Sequence, residues 1–109
     1  MKYIDFTAGG KEYKLRLNIR NTVALENILN CNPLMIFGTG DRIPTITEMT
    51  SILHFSLQQY QHNITLNDAQ DIFEQWLEDG NTPTDFIQVI IDIYKVSGII
   101  ANDKEDEKN

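Results

Sequence analysis

Basic side chains are missing from nearly half of this chain. Residues 43–94 contain no lysine or arginine, yet they carry eight acids: Glu48, Asp68, Asp71, Glu74, Glu78, Asp79, Asp85 and Asp92. Such a stretch repels phosphate, so the expectation is no nucleic-acid partner. Cysteine is nearly absent too: the single Cys31 excludes an internal disulfide framework and fits a reducing compartment. No apolar run is long enough for a bilayer. The richest, Pro83 to Ile100, falls short of about 20 predominantly apolar residues and is interrupted by Gln88, Asp92 and Lys95. The N-terminus MKYIDFTAGG has no apolar h-region, so we expect a soluble cytoplasmic protein with no membrane contact.

Signatures of site chemistry are equally sparse. His54 and His62 are the only histidines, eight apart, with no His-x-x-His, paired Cys or carboxylate loop to complete a metal site. The acidic segment Asp68 to Asp79 has no calcium-loop ligand pattern. Gly38-Thr39-Gly40-Asp41 lacks the Gly-Lys-Ser/Thr ending of a phosphate loop and reads as a connector. Cys31 has no neighbouring His or Lys to lower its pKa. With no nucleophile, base or pocket signature, the expectation is a protein without cofactor, metal or catalytic residue, and not an enzyme.

What is present is a regular alternation of elements. In 109 residues, 41% of them hydrophobic, there is room for one domain with a modest core. We place that domain at 1–101, as a hairpin over 3–19 and a helical body over 21–100. In Tyr13, Leu15, Leu17 and Ile19 the apolar residues alternate with Lys14, Arg16 and Asn18, the period of a half-buried strand. Ile4 and Phe6 give the first arm, and Ala8-Gly9-Gly10 the turn. Asn21 would cap a first helix, Thr22 to Leu29, with Leu25, Ile28 and Leu29 inward. Asn32-Pro33 breaks it and starts a short turn through Phe37, and Gly38 to Pro44 is a loop.

Three further helices are announced alike. Thr45-x-x-Glu48, Thr65-x-x-Asp68 and Thr82-x-x-Asp85 are capping boxes, each followed by apolar residues at helical spacing. The helix after Thr45 turns Met49, Ile52, Leu53, Leu57 and Tyr60 inward. The next turns in Ala69, Ile72, Phe73, Trp76 and Leu77. The last, after Pro83, is apolar over most of its circumference and is expected to be the central helix, ending near Gly98. Phe86, Ile90, Ile93, Phe73, Trp76, Ile52 and Leu53 should meet in one core. Asn102 to Asn109 has nothing to bury and reads as a disordered acidic tail. The fold class is thus α+β, mainly α: an N-terminal β-hairpin followed by a small bundle of about four helices.

Candidate functional features are therefore surfaces. One is the hairpin with free edges and the basic pair Lys14 and Arg16. A second is the acidic face Asp68, Asp71, Glu74 and Glu78, whose blander role is solubility. A third is the turn from Leu34 to Phe37, whose blander and favoured role is a corner of the core. Residues 1–42, with six basic and four acidic side chains, carry +2, against −8 for 43–94. These unlike surfaces suit head-to-tail self-association, with apolar contact from the Tyr3/Tyr13 side or from Leu34 to Phe37.

The order of these pieces resembles a known family. A basic hairpin ending in Tyr13-Lys14-Leu15-Arg16-Leu17, then Ala24-Leu25-Glu26 and the Asn32-Pro33 break, is similar to the tail assembly chaperones of long-tailed (siphovirus-type) phages and prophages of Gram-positive bacteria. The acidic helical body and charged C-terminus are similar too. The resemblance implies a protein absent from the finished virion. It would coat and solubilise the tape-measure protein, help recruit tail-tube subunits, and often exist also in a longer, frameshifted form. The other class compatible with the residues is a small acidic regulator or inhibitor that adds its hairpin to a partner's sheet edge.

Overall fold

The computed structural model describes residues 2–101; the expected acidic tail, 102–109, lies outside the described residues. The architecture is α+β and mainly helical: a two-stranded antiparallel hairpin followed by four helices. Strands β1 (Ile4–Ala8) and β2 (Lys11–Leu15) pair with Phe6 opposite Tyr13 and Ala8 opposite Lys11. Gly9 and Gly10 form the two-residue loop, at φ of 59° and 79°. Positive φ at both positions is the type I′ geometry, whose twist matches that of the strands. A side chain at Gly9 would also strike Gln75 of the third helix.

The chain leaves the sheet earlier than alternation implied. Asn18, not Asn21, is the first N-cap: its carboxamide oxygen accepts from the Asn21 N–H at 2.8 Å. Helix α1 (Ile19–Leu29) therefore begins three residues sooner, and Ile19, expected on the inner face of a strand, is 80% exposed on its first turn. The hydrogen bond from Asn18 to a backbone N–H outweighs the strand period at its last residues. The earlier start also sets the rotation of α1: Leu25 is buried, Leu29 partly so, and Ile28 faces solvent rather than inward.

A 3₁₀ turn (Pro33–Phe37), capped by Asn32, leads through a loop to α2 (Ile46–Leu57) and then α3 (Leu66–Glu78). Both of these helices start in complete capping boxes. The Thr45 and Thr65 side chains accept from the N–H of Glu48 and Asp68, at 3.1 Å each, and the carboxylates accept from the Thr N–H groups. At Thr82 the hydroxyl bonds the Asp85 carboxylate rather than a backbone N–H. There the chain makes a 3₁₀ turn (Pro83–Asp85) before α4 (Phe86–Val96). Tyr60 lies beyond the end of α2, half-buried, with its ring against Tyr3.

The central element is α2 rather than α4. Seven of its twelve residues are buried, and α1, α3, α4 and β2 all pack on it. Ser51, Ser56 and Thr50 are among them; small side chains let neighbours approach closely. The Ser56 and Thr50 hydroxyls donate back to the carbonyls of Ile52 and Ile46. Helix α4 buries only one stripe: Phe86, Ile90, Ile93 and Tyr94 are inaccessible, whereas Ile91 and Val96 are only partly covered. Apolar circumference records what a helix can bury, not how many neighbours reach it. The expected core residues, from Ile52 and Leu53 to Ile93, do meet in one cluster.

Hydrogen bonds fix the hairpin to the helices. The Gly9 N–H donates to the Asp79 carboxylate at the end of α3 (2.9 Å), the Arg16 N–H to the Ser56 carbonyl of α2 (3.0 Å), and the Leu17 N–H to the Ser97 hydroxyl just after α4 (2.9 Å). Helix α4 ends in a Schellman motif: Gly98, at φ 79°, donates to the Lys95 carbonyl and Ile99 to that of Tyr94.

The two helices make opposite demands on substitution. Leu53→Ala, in the middle of α2, should cost about 2–5 kcal/mol. Ile91→Ala should cost less, about 1–2 kcal/mol, since its side chain already meets solvent in part and lies outside the core cluster. Chemical denaturation of both variants checks this; equal losses would restore α4 as the centre.

Candidate interaction surfaces

On the outer face of the hairpin, Lys14 lies opposite Asp5 in register and beside Glu12. Its ammonium stands 4.8 Å from the centre of the Tyr3 ring and 6.0 Å from that of Tyr60, while the two rings meet edge-on at 5.4 Å. Arg16 is elsewhere: half-buried past the strand end, it lines a cleft of about 320 Å³ with Lys2, Lys95 and the chain from Val96 to Ala101. Lys14 and Arg16 are thus two separate cations, and the face around Lys14 is of mixed sign.

On α3, Asp71, Glu74 and Glu78 come together along one exposed face with Gln75. None of these three carboxylates has a hydrogen-bond or ion-pair partner among the described residues. Asp68 is not part of that free group. Its carboxylate accepts from Thr65, and those bonds hold it below the usual carboxylate range.

The turn from Leu34 to Phe37 divides. Ile36 is buried, and Phe37 is half-buried with its ring edge-on to Tyr94 at 6.4 Å. Leu34 and Met35 face outward, 39% and 58% exposed. Behind them the turn is held rigidly. The buried Tyr94 hydroxyl donates to the Pro33 carbonyl at 3.0 Å, and burial pushes its phenol above the usual range. The Arg42 guanidinium donates to the Ile36 carbonyl and forms a bidentate pair with Glu48, at 2.9 Å for each bond.

Two surfaces went unnoticed in the sequence. The outward side of α1 presents Ile19 and Val23 one turn apart. Between α2 and α3 runs a groove of about 460 Å³, with Ile46 and Thr50 on one side, Gln70 and Glu74 on the other, and Phe73 and Leu77 within. Reading Asn18 as a cap would have revealed the first. The groove depends on how far apart the two helices pack, which no local pattern encodes.

Little else on the surface suggests chemistry. The His54 ring lies 3.1 Å from the Ile64 carbonyl and against Phe55, a structural position. Among the described residues no cluster of three or more His, Cys, Asp or Glu could hold a metal, and no helix is long and apolar enough to cross a membrane. The chain matches no protein-family model, no curated protein and no solved structure.

Glu48 joins the α2 cap to the Arg42 clamp, and this makes stability depend on pH. Burial alone would raise its carboxyl, but the bonds from Arg42 and Thr45 outweigh burial and leave it below the usual range. A depressed folded-state value means that the contribution is complete above about pH 4.3, the value for a free Glu, and is lost as pH falls through the folded value. Glu48→Gln should therefore lower the melting temperature at neutral pH, and its deficit should shrink under acid conditions. Melts across the acid range check this; a deficit independent of pH would exclude the charge as its source.

Proposed function

We propose that this chain is a tail assembly chaperone of a long-tailed phage or prophage of a Gram-positive host. In this reading it is a binding protein, not an enzyme or a virion component. It works in the bacterial cytoplasm, binds and solubilises the tape-measure protein, and helps recruit tail-tube subunits. Copies repeat head to tail along that elongated partner.

The observation that carries the reading is apolar surface held rigidly in solvent. Leu34 and Met35 are presented by a turn that Tyr94 and Arg42 anchor from behind, so their exposure is not fraying. Ile28 is exposed on α1, which packs against the same turn. A holdase for an apolar helical partner needs such contacts, and flexible Met adapts well to varied side chains. The free carboxylates of α3 supply a soluble exterior. A second reading, a regulator docking through its hairpin, is favoured by one feature: among the described residues, Asp5, Thr7, Glu12 and Lys14 make no backbone hydrogen bonds outside the hairpin.

Co-expression with the tape-measure protein encoded beside it should raise that protein's soluble yield and give a co-purifying complex. The Leu34→Asp, Met35→Asp double variant should lose most of the complex while changing stability by only about 0.5 kcal/mol, as exposed substitutions usually do. No complex with the wild-type chain would overturn the chaperone reading, and an undiminished complex with the variant would overturn the assigned surface.

A further inference from the structure

We infer that the groove between α2 and α3 receives the outward face of α1 from a second copy of this chain. The inference rests on the head-to-tail repetition just proposed and names the two surfaces that would make it. The groove has an apolar interior, Phe73 and Leu77 with Ile46 at its edge, and polar side chains only on its walls. Of these the Thr50 hydroxyl is committed to the Ile46 carbonyl at 2.9 Å. What the groove lacks is an aliphatic ridge to fill it.

The same chain displays such a ridge. Ile19 is 80% and Val23 50% exposed on successive turns of α1, on the side away from Leu25. Charge fixes the pairing. The groove's α3 wall bears Glu74, with Asp71 and Glu78 on the adjoining face, and residues 43–94 hold no cation to neutralise them. Next to Ile19 stands Arg20, and the first turn of α1 has no acid. Glu26, near the other end of α1, would be repelled by the same wall, so only one direction of α1 is favoured. Groove against groove brings acids together, and ridge against ridge leaves both grooves empty. A contact between unlike surfaces does not close on itself as a two-fold dimer, so it continues into a ring or an open spiral.

The test is sedimentation velocity of the purified full chain over a range of concentrations at low salt, with Ile19→Glu and Ile46→Glu as variants. Both positions are exposed and lie in first helical turns, where an added acid suits the helix dipole. The wild-type chain should grow in mass with concentration, and each variant should associate at least about tenfold more weakly, as expected for central apolar contacts. An equimolar mixture of the two variants should recover a dimer and nothing larger, because it contains one intact ridge and one intact groove. Should either variant fold poorly, Arg20→Glu and Glu74→Arg replace them: each alone weakens association, and both in one chain restore it. A wild-type chain that stays monomeric throughout, or a mixture that recovers no dimer, would overturn the inference. Tape-measure protein is absent from this assay, so association can succeed while solubilisation fails, or the reverse, and the two claims fall separately.

Discussion

An isolated twelve-residue hairpin is marginal in water, and this one is stable only because helices cover its inner face. The cover is an aromatic cluster. Phe6 of β1 lies 5.6 Å from Trp76 and 6.1 Å from Phe86, centre to centre, and Phe73 lies 5.2 Å from Phe86. The cluster draws on β1, α3 and α4, so it joins the first element of the chain to the last. Edge-to-face arrangements such as Phe6 on Phe86 and Trp76 on Phe86 add to the burial itself. With the hairpin and α4 held there, Tyr94 reaches Pro33 and fixes the 3₁₀ turn, and α2 is enclosed on several sides.

The apolar side chains left outside follow from that arrangement. Once α2 has taken the inner sides of α1, α3 and α4, apolar side chains still face outward, among them Ile19 and Val23 on α1, Leu34 and Met35 on the 3₁₀ turn, and Ile46 beside the groove. These features stand on anchored backbone, and that separates a binding surface from an incomplete core. Charge is divided correspondingly: six of the nine Lys and Arg residues precede residue 43, whereas Asp71, Glu74 and Glu78 on α3 have no ion-pair partner among the described residues.

Much of the fold was legible because its starts and stops are chemical. Thr-x-x-acid boxes at Thr45 and Thr65, Gly9-Gly10 and Gly98 each act through their own backbone, and each lies where the sequence pattern put it. The errors arose where two local signals competed or where packing decided. Ile19 continued a strand period, yet it follows a capping Asn18, and the cap prevailed. The apolar count of α4 points to it as the centre, but the more polar α2, with its three small buried hydroxyl residues, admits more neighbours. Of the surfaces, only the inward–outward split of the 3₁₀ turn and the acid row of α3 follow from spacing. The groove and the parting of Lys14 from Arg16 are products of tertiary placement.

The account depends on the hairpin being part of one cooperative unit with the helices, so that its surfaces are presented on a rigid frame. Native-state amide hydrogen exchange, resolved by residue, tests this most directly. The hairpin amides of Phe6 and Tyr13 should exchange only through global unfolding, with the same opening free energy as Leu53 in α2. Hairpin amides exchanging orders of magnitude faster than Leu53 would show a loosely attached arm and contradict the account.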